Sequence, residues 1–319
     1  MTDPGNTASI GDSVATGIWP KTRQATSLGI NIPTSERALY ADTPHYTDML
    51  AMSQAAVSIG AEVLWFDDHF SFMSDTDLRG AWDAWTLMAA IAATVPDVYL
   101  GPMVACTAYR NPGVIAKMTE MIGDISGGRF ILGLGAGWHK PEYDQFGIRF
   151  EPRVSQFEEA VAIIHGLVRH GEADVQGEYY QADKAVNRPR AKNGHTTPIL
   201  IGSTGERMVK SLARYADAWN TGGGSVGDLK AKIARVDAAC LEVGRDPASV
   251  VRTVGLTLAG DGYTGNAADV VTGGTEEKVG RLRELESLGF QHIMVRIDPS
   301  TPDTIAAMAP VVDGFYGGG

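Results

Sequence analysis

Three short stretches of the sequence carry residues of the type and spacing that chemistry uses. The first, LWFDDHF, sets Asp67, Asp68 and His69 directly after an apolar run. An imidazole there can give or take a proton near neutrality, and a neighbouring carboxylate can orient it or hold its charge. The same residues have an ordinary use, a strand-end Asp capping the next loop with a hydrogen-bonded His. The second stretch, RFILGLGAGWHKPEY, places Gly133, Gly135 and Gly137 in and after an apolar run, so backbone can approach a planar ring or a phosphate with no Cβ in the way. Its spacing is G-x-G-x-G and Pro141 blocks an immediate helix, so it is not a dinucleotide fingerprint. Tight packing of strand against loop explains the glycines as well. His139 and Glu142 add polar groups just beyond them. In the third stretch, PILIGSTGER, residues Gly202, Ser203, Thr204 and Gly205 lead into a helical segment, with Arg207 near. Free N–H groups at a helix start, beside hydroxyls, suit a phosphate, and they also suit a plain Ser/Thr cap.

A metal centre is the main rival chemistry, since Asp67, Asp68, His69, His139 and Glu142 are hard or borderline ligands. The sequence has no HExxH, no His-x-His on the first strand and no cysteine cluster, and no metal is expected. Trp65, Trp82, Trp85 and Trp138 can stack on a ring, although tryptophan in such positions is commonly core.

Something must hold these stretches together. From Ser27 onward, short runs rich in β-branched residues alternate with longer segments of helical period, as in βα units around a parallel sheet. Strands are expected over 28–32, 62–66, 98–105, 129–135, 198–202, 217–220, 250–258 and 292–297. Eight units fit a closed (β/α)8 TIM barrel with insertions in its connecting loops, one domain over 27–319. Each of the three chemical stretches then falls after a strand, on the barrel's catalytic face. Two insertions interrupt the rhythm. Residues 138–153 follow the fourth strand and form the lid candidate, while residues 176–197, with a hairpin-like GEYY, enter the fifth strand from the opposite end.

Composition narrows the function. A net charge of -11 argues against a grip on nucleic-acid phosphates or anionic lipid, because both need a positive surface. The two cysteines, Cys106 and Cys240, give neither a disulfide framework nor a zinc knuckle, and a reducing cytoplasm is expected. Residues 1–26 are rich in Gly, Ser, Thr and Asp and read as a flexible or surface-lying arm rather than a signal peptide. No apolar stretch approaches the roughly 20 residues of a membrane helix.

In combination and order, LWFDDHF, the segment from Leu100 to Phe150 and PILIGSTGERMVKSLARYADAWN resemble the bacterial-luciferase-like family of flavin- and deazaflavin-dependent oxidoreductases, over a span from Leu28 to near the C-terminus. The resemblance implies a barrel, commonly a homodimer, that binds FMN or coenzyme F420 with the tricyclic ring at its C-terminal mouth. It assigns Asp68 and His69 to the ring, with His69 handling a proton. It places a bulge, often with a non-prolyl cis peptide, near Met103 and Val104. It lines the cofactor pocket with Gly135, Ala136, Gly137 and Trp138, and gives the phosphate to Gly202, Ser203 and Thr204. FMN-using luciferases carry an arginine where this chain has Ala136, which inclines the expectation toward F420. The leading expectation is therefore an F420-dependent oxidoreductase that exchanges hydride with a small organic substrate. The alternative is an FMN-dependent monooxygenase fed by a separate reductase. A metal-dependent barrel hydrolase and a flavin-binding protein without turnover complete the set.

Overall fold

Runs such as Leu28–Ile32 and Val63–Phe66 are apolar on both faces, which suits strands that are covered by helices outside and by one another inside. The computed structural model describes residues 19–20, 25–36, 42–74, 76–191, 196–265 and 269–317. Among them the strands β1 (Ser27–Ile32), β2 (Val63–Phe66), β3 (Tyr99–Pro102, resumed at Ala105–Cys106), β4 (Leu132–Gly135), β5 (Ile199–Gly202), β6 (Ala218–Thr221), β7 (Val251–Ala259) and β8 (His292–Asp298) pair in parallel. The first half of β3 pairs with β2 and its second half with β4, while β1 pairs with β8, so the sheet curls into a nearly closed barrel. All eight expected strands are present. The break in β3 falls at Met103 and Val104, whose peptide bond is cis.

Helices α1 (Tyr46–Ser58), α2 (Ala84–Thr94), α3 (Pro112–Ser126), α4 (Arg153–His165), α5 (Glu206–Tyr215), α6 (Val226–Glu242), α7 (Thr275–Ser287) and α8 (Ala309–Tyr316) cover the outside. Alternate strand residues, among them Ile30, Phe66, Leu132, Ile201 and Ile293, pack beneath them as the main core. Local chemistry sets the ends. Asp83 caps α2 by accepting Thr86 N–H, Pro112 opens α3 after the Asn111 cap, and Gly127 closes α3 in the left-handed region.

The barrel interior is a second, smaller cluster around Trp65, with Val63, Ile131, Leu200, Ala218 and Met294. Trp65 fits because its neighbours have no side chain. A Cβ on Gly29 would lie 2.5 Å from its indole nitrogen, and one on Gly101 would lie 3.1 Å from its ring. Its N–H donates to His292 Nε2 at 2.9 Å, so His292 carries its own proton on Nδ1 and gives it to Ser27 Oγ at 2.6 Å. Burial lowers the His292 pKa to about 3, in keeping with a neutral ring. The arm expected over 1–26 lies mostly outside the described residues. Within it, Trp19 packs on this interior cluster, 5.9 Å from the His292 ring.

Both insertions carry structure. Residues 138–153 contain the short helix Lys140–Gln145, whose Glu142 and Tyr143 are buried, so this insertion is pinned down rather than poised like a loose lid. The stretch before β5 forms an antiparallel hairpin, Glu172–Gln176 with Gln181–Val186, whose turn is held by Glu159 accepting N–H from residues 178–180. A third feature was not expected from the sequence, a hairpin Ser71–Met73 with Leu78–Gly80 directly after β2.

Candidate active site

A cavity of about 940 Å³ opens at the C-terminal ends of the strands. That is ample for a cofactor-sized ligand. Trp65, Met103 and Met294 form its apolar base; Asn31, Asp67 and Arg296 make a polar ridge across β1, β2 and β8; the glycine run Gly222–Ser225 after β6 bounds the far side. The ridge is internally bonded. Asn31 donates to Asp67 Oδ1 at 3.2 Å and Arg296 to Asp67 Oδ2 at 2.7 Å.

The three residues after β2 diverge. Asp67 faces the cavity, whereas Asp68 is 3% exposed and bonded entirely to protein: it accepts Cys106 N–H at 3.1 Å and Arg110 at 2.8 Å. Arg110 also reaches Asp83 at 2.8 Å and lies over Trp85, so Asp68 ties the end of β2 to β3 and the start of α2. Burial drives the Asp68 carboxyl above its ordinary range, opposed by Arg110 and the Cys106 N–H.

His69 turns toward the insertion after β4. Its Nδ1 lies 2.8 Å from Glu142 Oε2, and its ring sits 4.3 Å from Phe72 and 5.7 Å from Trp138. Glu142 has no exposed surface. Its Oε1 accepts N–H from Phe70 at 2.5 Å and Ser71 at 2.9 Å, and its Oε2 also accepts Tyr109 OH at 2.8 Å. Burial alone would raise the Glu142 carboxyl, but the bonds from His69, Ser71 and Tyr109 outweigh it and hold the group below the usual carboxylate range. Tyr109 is pushed up by burial and by Cys106 and Glu142 beside it, and stays a phenol.

The glycine stretch is shaped by packing. Val104 points into the barrel where Gly133, Gly135 and Gly202 leave room, and a Cβ on Gly135 would lie 2.6 Å from its Cγ2. Gly137 has φ +73, and a Cβ there would lie 2.0 Å from Tyr143 Oη and 2.7 Å from Cys106 Sγ. Ala136, half-buried, packs against the main core while its carbonyl accepts Tyr143 OH at 2.7 Å. Trp138 is 65% exposed, at the rim beside His69. The Cys106 thiol is pushed up to about 12 by burial, which leaves it a poor nucleophile.

After β5, Ser203 Oγ accepts Gly205 N–H at 3.1 Å, Ser203 N–H donates to Asn220 O at 3.2 Å, and Thr204 O accepts from Arg235 at 2.8 Å. Arg207 is committed to Glu158 and Ser155. The expected residues thus form two groups: a β2–β3–β4 rim with Asp68, His69, Met103, Val104 and residues 135–138, and a β5 loop with residues 202–204. Val104 joins them. Of all these, Met103 is the one that also borders the large cavity. Asn31, Asn220, Thr257 and Arg296 escaped the sequence reading, although Asn31 and Arg296 each stand out as a polar residue within an apolar strand. Among the described residues no cluster of three or more His, Cys, Asp or Glu could hold a metal ion.

A nearly closed parallel barrel with a cavity at the carboxyl ends of its strands, beside the break in the third strand, defines a class, the barrel enzymes that work at that mouth. The sequence model of the family described as luciferase-like monooxygenase matches residues 26–261, and the chain belongs to that family. Pyrimidine monooxygenase RutA of Agrobacterium fabrum is 30% identical over 246 residues, covering 72% of this chain and 67% of the relative. The protein of that name from Stutzerimonas stutzeri is 29% identical over 241 residues, covering 70% and 66%. The chain thus spans about two thirds of these relatives' length. Among solved structures, an F420-dependent secondary alcohol dehydrogenase in complex with an F420-acetone adduct superposes with TM-score 0.78 at 17% identity, over 92% of this chain and 99% of its own. EDTA monooxygenase (EmoA) from Chelativorans sp. BNC1 gives 0.79 at 13%, over 93% and 94%. These two likenesses establish the fold. The chain is an enzyme of the oxidoreductase class.

Proposed function

We propose that the enzyme is an FMN-dependent monooxygenase, supplied with reduced flavin by a separate reductase, that oxygenates a small uncharged organic molecule in the mouth cavity. The observation that carries this reading is the cavity itself, an apolar base of Trp65, Met103 and Met294 beneath a hydrogen-bonding wall, which fits a planar amphipathic ring and a small planar substrate together. The naming of the curated relatives as pyrimidine monooxygenases supports the reaction type and a neutral heterocyclic substrate. At the cavity Arg296 is paired with Asp67 and Arg281 with Glu284, which leaves neither guanidinium free to select an anionic substrate.

When bound, a reduced flavin supplies activation of dioxygen and the electrons for inserting one of its oxygen atoms. The rest falls to the chain. Met103 and Val104 would hold the ring, Ser203 and Thr204 at the start of α5 would hold the phosphate, and residues 135–138 would close the site beside them. Asn31 and Asn220 orient the substrate. Trp65 and Met294 keep water from beneath it, and His69 holds and moves a proton at Nε2.

A second reading, hydride exchange with F420, is favoured by His69, a proton-handling imidazole held by a buried carboxylate at the rim. Titration of the purified protein with FMN, reduced FMN and F420 tests the choice. FMN binding with dioxygen-dependent, oxygenated product is the expected result; binding of F420 alone, with turnover that ignores dioxygen, gives the second reading in its place.

A further inference from the structure

We infer that Glu142 is the positioning residue of the site: its carboxylate fixes the His69 imidazole with the proton on Nδ1 and leaves Nε2 as the nitrogen that exchanges protons. The inference rests on the proposed role of His69 and adds the group that governs it. The two oxygens of Glu142 have separate tasks. Oε1 takes the N–H groups of Phe70 and Ser71, the two residues after His69, and so fixes the carboxylate relative to the backbone that carries the imidazole. Oε2 faces His69 Nδ1 at 2.8 Å and Tyr109 Oη at 2.8 Å. An ionised carboxylate has no proton to give, so both of these partners must donate, and a neutral His69 can donate from Nδ1 only as the Nδ1–H tautomer.

The surroundings leave the ring little choice of orientation. Phe72 packs at 4.3 Å, and Trp138 stands edge-on at 5.7 Å. Ser71 Oγ donates to Gln145 at 2.7 Å and Met73 N–H donates to His139 Nε2 at 2.9 Å, so the helix that bears Glu142 is tied to the hairpin beside His69 at two further points. Among the described residues, His69 Nε2 has no hydrogen-bond partner. A purely structural tie between hairpin and helix needs only Oε1; Oε2 serves the imidazole and the phenol.

Glu142→Gln separates the two tasks. The amide oxygen keeps the backbone N–H groups, which an NH2 group cannot accept, and the NH2 group then faces Nδ1 and can only donate to it. The imidazole must move its proton to Nε2. The readout is the 15N spectrum of the His69 ring in the full-length protein without added cofactor, at a pH where the ring is neutral. The wild type is expected to show the Nδ1–H tautomer and Glu142→Gln the Nε2–H tautomer, with kcat of the FMN-loaded enzyme down about 100-fold, the scale of lost acid–base catalysis, and FMN affinity changed less than about threefold. An Nε2–H tautomer in the wild type overturns the inference, even if the variant fails to fold. An unchanged tautomer in a folded Glu142→Gln overturns it as well. Should His69→Ala keep full turnover, the proton role of His69 falls while the tautomer result still decides whether Glu142 sets the ring.

Discussion

At the residue scale, the site is governed by which neighbour each polar group is given. Asp67 and Asp68 are adjacent in sequence, yet successive residues at a strand end point to opposite faces. One borders the cavity; the other is sealed against Arg110. Asp68→Asn leaves the guanidinium paired with Asp83 alone, and losing one charged hydrogen-bond partner of this kind costs about 1.5 to 3 kcal/mol. Urea unfolding is expected to show a midpoint shift of that order, and an unshifted midpoint would mean that the Asp68 pair carries no structural load. His69→Ala is expected to lower kcat by about 100-fold or more, with a small change in FMN affinity. Single-turnover kinetics alongside fluorescence titration separates the two effects, and loss of FMN affinity with unaltered chemistry would make His69 a binding group instead. LWFDDHF showed that proton chemistry is available after β2. It did not show that the partner of His69 is Glu142, 73 positions away, because that pairing depends on how the insertion after β4 folds back over the hairpin.

At the element scale, β3 organises the mouth. Its bulge turns Val104 into the barrel, and Gly133, Gly135 and Gly202 accommodate it from β4 and β5. Gly135→Ala is expected to destabilise the fold by about 1 to 3 kcal/mol, as overpacking does. Val104→Ala should restore part of that loss, because the obstructing atom belongs to its side chain. If chemical denaturation of the single and double variants gives additive losses, Val104 is not the reason for the glycine. The eight strands were legible because fully buried parallel strands read as uninterrupted apolar runs, from LGINI to HIMVRI. The hairpin at residues 71–80 was not, since SFM and LRG have neither the length nor the alternation of a strand and are held by contacts made elsewhere. The glycines in GLGAG gave their positions away but not their purpose, which is room for side chains from β3 and from the helix after β4.

At the scale of the whole molecule, stability and assembly follow from buried and surface charge. His292 and His165 have folded pKa values lowered to about 3 and about 4 by burial, His165 also by Arg169 and His170. Both must charge in the unfolded chain near the ordinary 6.5, so between that value and about 4 the unfolded state binds more protons and stability falls as pH falls. Glu142, held below its ordinary 4.5, contributes stability above that pH and loses it in more acid solution, in the same direction. Asp68 and Asp217, whose carboxyls burial raises, act in the opposite sense, so the cleaner readout is the comparison with His292→Gln: the variant's melting temperature is expected to fall less between pH 6.5 and pH 4 than the wild type's, and an equal fall would mean that His292 is not held neutral. Among the described residues no helix is long and apolar enough to cross a membrane. The homodimer that the family resemblance implies is tested by light scattering, which should give twice 33.9 kDa; a monomer mass would remove that expectation.

The mouth cavity is proposed to hold FMN beside the break in β3 for oxygen insertion. Equilibrium titration of the purified protein with FMN and with F420, followed by turnover with reduced cofactor in the presence and absence of dioxygen, tests it most directly. Saturable binding of FMN and a product carrying one oxygen atom from dioxygen is the result the account requires; saturable binding of F420 with none of FMN, and turnover unaffected by removing dioxygen, would contradict it.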